Sequence, residues 1–180
     1  MPSYQSRGLA PTINFPHNNP VKLLPKSIFK IALPALLLAA ADQLLKLAAV
    51  AYLQTPVQFT PWLALRYEQN VGIAWSIFIP QPWLSIFNVF LLIVLPLYIS
   101  QYIDLRRNSS RILLSMVIGG ALGNLYDRLF RGFVIDFLAV GTFPVFNLAD
   151  ALLTVGIFLI LVFYGRIKRT DTNKVSVAPP

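Results

Sequence analysis

Cysteine is absent from this chain of 180 residues. Disulfides, thiolate metal sites and a cysteine nucleophile are therefore excluded. Histidine occurs once, as His17, in a stretch rich in proline and asparagine. A histidine-based zinc site and a Ser-His-Asp triad both lack their parts, and His17 reads as a solvated residue without a chemical role. Charge is scarce as well. Asp, Glu, Lys and Arg together make up 12% of the residues, against roughly 25% in a soluble domain. Acids are the scarcest of all. There are seven: Asp42, Glu68, Asp104, Asp127, Asp136, Asp150 and Asp171.

What fills the chain instead is apolar: 56% of the residues are hydrophobic. A membrane-spanning helix needs about 20 mostly apolar residues. Four windows qualify, at about 31–53, 83–103, 112–130 and 148–165. The expected fold is therefore an all-α integral membrane protein with four transmembrane helices.

The basic residues predict its orientation. Lys22, Lys26 and Lys30 precede the first window, Arg106, Arg107 and Arg111 separate the second from the third, and Arg166, Lys168, Arg169 and Lys174 follow the fourth. The two other connections, 54–82 and 131–147, hold only Arg66 and Arg131. By the positive-inside rule both termini are expected in the cytoplasm, with those two connections outside. The net charge of +8 then belongs to a membrane surface, and no nucleic-acid partner is expected. Residues 26–41, ending in Ala39-Ala40-Ala41, loosely mimic a cleavable signal peptide. The apolar run continues past Asp42 to Leu53, however, which suits a retained span.

Segment 54–80 lacks a helical pattern. Val57, Phe59, Trp62 and the run Leu65-Arg66-Tyr67 lie among prolines and polar residues, which predicts strands in a small extracytoplasmic β-sheet between the first two helices. Residues 1–25, with Pro2, Pro11, Pro16, Pro20 and Pro25, are expected to form a disordered cytoplasmic extension. Residues 169–180 are expected to form a cytoplasmic tail, leaving 26–168 as the membrane domain.

Asp104 and Asp171 fall in solvated, cytoplasmic segments, and the other five acids gather toward the outer half of the membrane. An ionisable group at membrane depth is expensive and marks function by default. On the third window Asn124, Asp127 and Arg128 are spaced to share one helix face. Gly119 and Gly123 form a Gly-x-x-x-Gly pair suited to close helix packing. A packing seam with a local Asp127–Arg128 contact would explain that much, but not the further acid at Asp136. Beyond it, Asn147 is a plausible N-cap with Asp150 in the first turn, which could be no more than a stabilised helix start. The functional reading is that Asp136 and Asp150 face each other at one depth. Two carboxylates sharing a site cannot both ionise, so one stays protonated while the other acts as a base toward water. Asp42 and Lys46, four residues apart, read as a structural ion pair. Asn70 is placed to offer its amide to a substrate backbone, with Gly72 allowing close approach.

These stretches resemble the lipoprotein signal peptidases, also called signal peptidase II. They are Asp42-Gln43 through Lys46, Asn70 through Ser76, Gly119 through Phe137 and Phe146 through Gly156, in the family's order. The resemblance implies a membrane aspartyl endopeptidase with Asp136 and Asp150 as its catalytic dyad. Supporting or substrate-binding roles fall to Asp42, Lys46, Asn70, Gly72, Asn124, Asp127, Arg128 and Asn147. It implies no metal and no cofactor. The implied substrates are bacterial prolipoproteins whose cysteine already carries diacylglycerol, cut just before that residue. Membrane lipid and globomycin-like inhibitors are the other implied partners, and the bacterial plasma (inner) membrane is the location, with the site near the outer face. Two departures stand out: Trp75 where phenylalanine is commoner, and a short connection from Asp136 to Asp150 that suggests a reduced covering loop.

A small polytopic transporter or channel would also carry membrane carboxylates, but it would spread them through the depth of the spans. A phospholipid transferase would want its carboxylates on the cytoplasmic side. A Ser-Lys protease would need an activating pattern around Ser76, near Lys46, and none is present.

Overall fold

The computed structural model describes residues 25–72 and 80–169. His17, Asp171, Lys174 and the stretch from Ile73 to Ile79, with Trp75 and Ser76, lie outside the described residues. Helix α1 spans Pro25–Tyr52. Strands β1 (Val57–Thr60) and β2 (Leu63–Asn70) follow. The second helical rod is built from α2 (Gln81–Val89), a π-helical turn (Phe90–Val94) and α3 (Leu95–Tyr102). Pro96 has no N–H to return to a carbonyl one turn back, and the rod widens beside it. Helix α4 spans Asn108–Phe130, strand β3 Val134–Val140, α5 Leu148–Val162 and α6 Tyr164–Ile167.

The molecule is thus mostly helical with one small antiparallel sheet in the order β1-β2-β3. The sheet departs from expectation in one respect. It is not confined to the connection between the first two helices, because its third strand comes from between α4 and α5. Asn70 pairs with Val134 and Leu63 with Val140 across that junction. The alternation of apolar residues in 134–140 was hidden by its burial. Val134, Ile135, Asp136 and Phe137 are all buried, so both faces of the strand are covered and no two-residue period separates inside from outside.

Helix α4 lies between α1 and α5 and packs along both. Its small residues make this possible. A Cβ on Gly119 would stand 2.8 Å from the carbonyl oxygen of Ala35, and one on Gly123 would stand 2.5 Å from a carboxylate oxygen of Asp42. The Gly-x-x-x-Gly pair is therefore an α1-facing seam. At one end of the bundle Ile31, Leu113, Leu114, Val117 and Ile160 form an apolar core. At the other, Ala49, Ile135 and Phe137 pack beneath the sheet.

The outer surface is apolar as well. Leu36, Leu37, Leu44 and Leu47 on α1, and Trp83, Ile86 and Phe87 on α2, are each more than half exposed. Water would penalise so continuous an apolar exterior, whereas hydrocarbon would not. Two helical stretches, Ile28–Tyr52 and Pro82–Tyr102, are long and apolar enough to cross a membrane, and Leu148–Val162 is a shorter apolar helix.

Candidate active site

The polar end of the bundle is built where α1, α4, β3 and the start of α5 converge. Asn147 caps α5 in a reciprocal arrangement. Its side chain accepts the N–H of Asp150 at 2.9 Å, and its own backbone N–H donates to Asp150 Oδ2 at 3.3 Å. This is the capping box that satisfies the orphan donors of a helix start. The Asn147 amide then reaches across to β3, donating to Asp136 Oδ1 at 2.7 Å and to the carbonyl of Ile135 at 3.2 Å. One residue therefore touches both carboxylates.

Each carboxylate has a further amide partner. Asn124 donates to Asp150 Oδ1 at 2.7 Å, and Asn70 donates to Asp136 Oδ2 at 2.9 Å. Asn70 in turn accepts the N–H of Gly72 at 3.0 Å. Its amide was expected to face a substrate backbone; one of its two N–H donors goes to Asp136. Asp136 is 2% exposed, and burial, reinforced by the charge of Asp150, pushes its carboxyl up to about 7 against the donors Asn70 and Asn147 and the attraction of Lys46. A cavity of about 380 Å³ opens beside the pair, with Asn70, Asp150, Thr154, Val145 and Phe146 among its walls.

Beneath this pair lies a second cluster with a different character. Lys46 and Asp42 form the ion pair expected from their spacing, at 2.7 Å and with both side chains fully buried. Lys46 also meets Asp127 Oδ2 at 2.9 Å and donates to Asn124 Oδ1 at 3.1 Å, so all three ammonium hydrogens are used. Asp42 Oδ1 accepts the N–H of Ala149 at 2.9 Å. Asp127 Oδ2 accepts the N–H of Ile135 at 3.1 Å, fixing the strand one residue before Asp136. The other Asp127 oxygen takes Gln43 at 3.1 Å and an ion pair with Arg131. Arg131 also donates to Gln43 Oε1 at 2.7 Å.

All ten residues expected at the site lie at this end, and the local Asp127–Arg128 contact weighed as a purely structural explanation is not formed. Among the described residues no side-chain hydrogen bond or ion pair joins Asp127 to Arg128. The partners of Asp127 are Lys46 and Arg131, because the turn of α4 that carries it faces α1. Arg128 instead donates to the carbonyl of Gly72 at 3.1 Å, and its buried Nε and Nη1 make no hydrogen bond within the described residues. Two members were missed, Gln43 and Arg131. Arg131 had a usable signal, since it sits four residues after Asp127 and thus on the same side of the helix end. Glu68 stands across the sheet from Asp136 in register but is half exposed and paired with Arg66 at 2.8 Å.

Among the described residues the carboxylates of Asp136 and Asp150 are bound only by neutral amides, inside an apolar helical fold. The comparisons with known proteins are specific. The family described as Signal peptidase (SPase) II matches residues 34–165. The lipoprotein signal peptidase of Chlorobaculum tepidum is 32% identical over 153 residues, covering 74% of this chain and 92% of the relative. That of Lactococcus lactis is 37% identical over 127 residues, covering 68% and 84%. A solved structure described as a bacterial membrane enzyme superposes with a TM-score of 0.64 at 26% identity, over 84% of this chain and 96% of the other. A second, described in the same words, superposes with a TM-score of 0.59 at 26% identity, over 75% and 92%. This chain belongs to the signal peptidase II family, a family of proteases.

Proposed function

We propose that this chain removes the signal peptide from diacylglyceryl-modified bacterial prolipoproteins, as an aspartyl endopeptidase with Asp136 and Asp150 as its dyad. The observation that carries the assignment is the difference in partners. Asp42 and Asp127 are bound to cations, whereas among the described residues Asp136 and Asp150 receive only amide donors. A carboxyl with neutral donors near pH 7 can give and take a proton.

In this mechanism a water sits between the two carboxyl groups. The ionised member takes its proton as the oxygen attacks the scissile carbonyl, and the protonated member donates to the developing oxyanion. Collapse of the tetrahedral intermediate breaks the C–N bond, and a dyad proton passes to the departing amine of the lipidated cysteine. The signal peptide leaves as a carboxylic acid. Asn147 keeps the two carboxyl groups in one geometry throughout, and the buried Lys46 cluster keeps β3 and α5 in register beneath them. Arg128, with unpaired donors near the dyad, supports a substrate-binding role alongside Gly72.

Four spans with both termini cytoplasmic and the dyad near the outer face are consistent with the apolar exterior and the placement of basic residues. In that setting the substrate's acyl chains remain in the membrane, and a globomycin-like cyclic peptide would inhibit by occupying the dyad. The transporter or channel alternative is not favoured, since the membrane acids gather at one end.

The deciding experiment uses purified protein in detergent with lipidated prolipoprotein. The native chain should cut it, unlipidated prolipoprotein should be cut poorly, and folded Asp136→Asn should be inactive. Equal turnover of both substrates would refute the lipid requirement. Reporter fusions after Gln54 and at the C-terminus should fall on opposite sides of the membrane.

A further inference from the structure

The end of the bundle opposite the dyad holds a groove with a cationic rim. A cavity of about 300 Å³ opens between α1, the second helical rod and α4, walled by Ile31, Leu92, Leu97, Leu105, Leu114 and Ile118 among others. Leu92 belongs to the π-helical turn, so the widened rod contributes directly to the wall. The walls are almost wholly apolar, which suits a hydrocarbon chain.

The rim is the reverse. Leu105 runs straight into Arg106 and Arg107, both exposed. Arg111 lies one turn before Leu114 on α4, and exposed Lys30 precedes Ile31 on α1. Helix α4 begins with Arg107 at its N-cap and has no acid in its first turn, although a helix start favours negative charge. Arg111 folds back over this start, donating to the carbonyl of Arg106 at 3.2 Å. The buried Ser110 hydroxyl there makes no hydrogen bond within the described residues. The one nearby acid among the described residues, Asp104, is already engaged by the N–H of Arg106 at 3.0 Å and by Arg107 at 3.6 Å.

Main-chain pairing adds two more cations. The N–H of Asp104 donates to Ile167 at 2.7 Å, and that of Arg169 donates to Tyr102 at 2.9 Å, which holds exposed Lys168 and Arg169 against the same end. Tyr98 and Tyr102, with ring centres 5.0 Å apart, and Tyr164 are exposed close by. Tyrosines at that level mark headgroup depth rather than bulk water.

We infer that this groove binds one anionic phospholipid of the cytoplasmic leaflet. One acyl chain lies in the cavity and the headgroup phosphate rests on Arg106, Arg107 and Arg111 at the start of α4. This rests on the membrane-spanning reading but not on the catalytic one. A juxtamembrane cation contributes about fivefold to anionic-lipid affinity, so the pair Arg106 and Arg111 accounts for about 30-fold.

The test incubates full-length protein in mild detergent with equimolar phosphatidylglycerol and phosphatidylcholine and counts retained lipid by native mass spectrometry. The native chain should retain phosphatidylglycerol about 30-fold over phosphatidylcholine. Arg106→Gln with Arg111→Gln should bring that ratio near one, and Ile118→Trp, which fills the groove, should reduce retention of both lipids. Equal retention by the native chain, or a ratio unmoved by the arginine pair, would overturn the proposal. Displacement by inorganic phosphate alone would overturn the lipid as its source. Displacement by an unlipidated signal-peptide segment would assign the groove to substrate instead. Cleavage is not scored, so a chain that retains the lipid but fails to cut prolipoprotein leaves this site standing while refuting the protease assignment.

Discussion

Two groups of acids lie side by side at one end of this molecule, and they are handled in opposite ways. Asp42 and Asp127 are fully buried and bound to cations, with Lys46 shared between them and Arg131 closing the second. Among the described residues Asp136 and Asp150 meet only the amides of Asn70, Asn124 and Asn147. The first pair is tied by these cations into the packing of α1 against α4, which is a structural arrangement. Neutral donors stabilise a carboxylate less, and burial opposes it, which is why the proposed proton exchange is assigned to the second pair. Asn124 joins the two groups, accepting from Lys46 through its oxygen and donating to Asp150 through its nitrogen.

The sharpest way to break this comparison is to remove the exchangeable proton. Asp136→Asn and Asp150→Asn should each lower turnover of lipidated prolipoprotein by about 10²–10⁴ while the protein stays folded. The double variant should be hardly worse, because the two act as one unit. Near-normal turnover by either folded variant would sink the dyad. The structural pair should respond in stability instead. Lys46→Met leaves Asp42 and Asp127 buried without their shared cation, which costs about 3–5 kcal/mol, seen as a collapse in folded yield or thermal midpoint.

A pH profile sharpens the contrast. The Asp136 carboxyl is raised to about 7 from 3.8, so the folded protein holds a proton there that the unfolded chain releases. Its contribution to stability is complete below about pH 4 and is lost as pH rises through about 7. The same ionisation removes the protonated member of the dyad, so kcat/KM should fall above about pH 7. A rate flat to pH 9 would contradict it.

The smallest effect is expected at Arg131, whose side chain is 21% exposed. Solvent screens such a pair, so Arg131→Ala should cost about 1 kcal/mol and Arg131→Lys less. A loss as large as that of Lys46→Met would show that Arg131, not Lys46, is the main counterion of Asp127.

Much of this was legible in the chain because the signals were local. Asn147 and Asp150 form the cap that their three-residue spacing announced, and Asp42 and Lys46 the pair that theirs announced. Gly119 and Gly123 mark the seam where α4 meets α1. The partner of Asp127 was not legible. Arg128 is its neighbour in sequence, but Lys46 lies 81 positions away, and helix rotation about the glycine seam chose between them. Strand β3 was hidden for a related reason, since burial on both faces erases the alternation that marks a strand.

The sequence by itself determined which segments are apolar, where the helices begin and which acids are available, because periodicity, capping and charge act within a few residues. Only the tertiary structure decided what each acid does. Four aspartates, chemically identical along the chain, fell into a cation-bound pair and an amide-bound pair according to whether packing brought a cation or an amide within about 3 Å. That choice rests on contacts between α1, α4, β3 and α5, which no local spacing encodes.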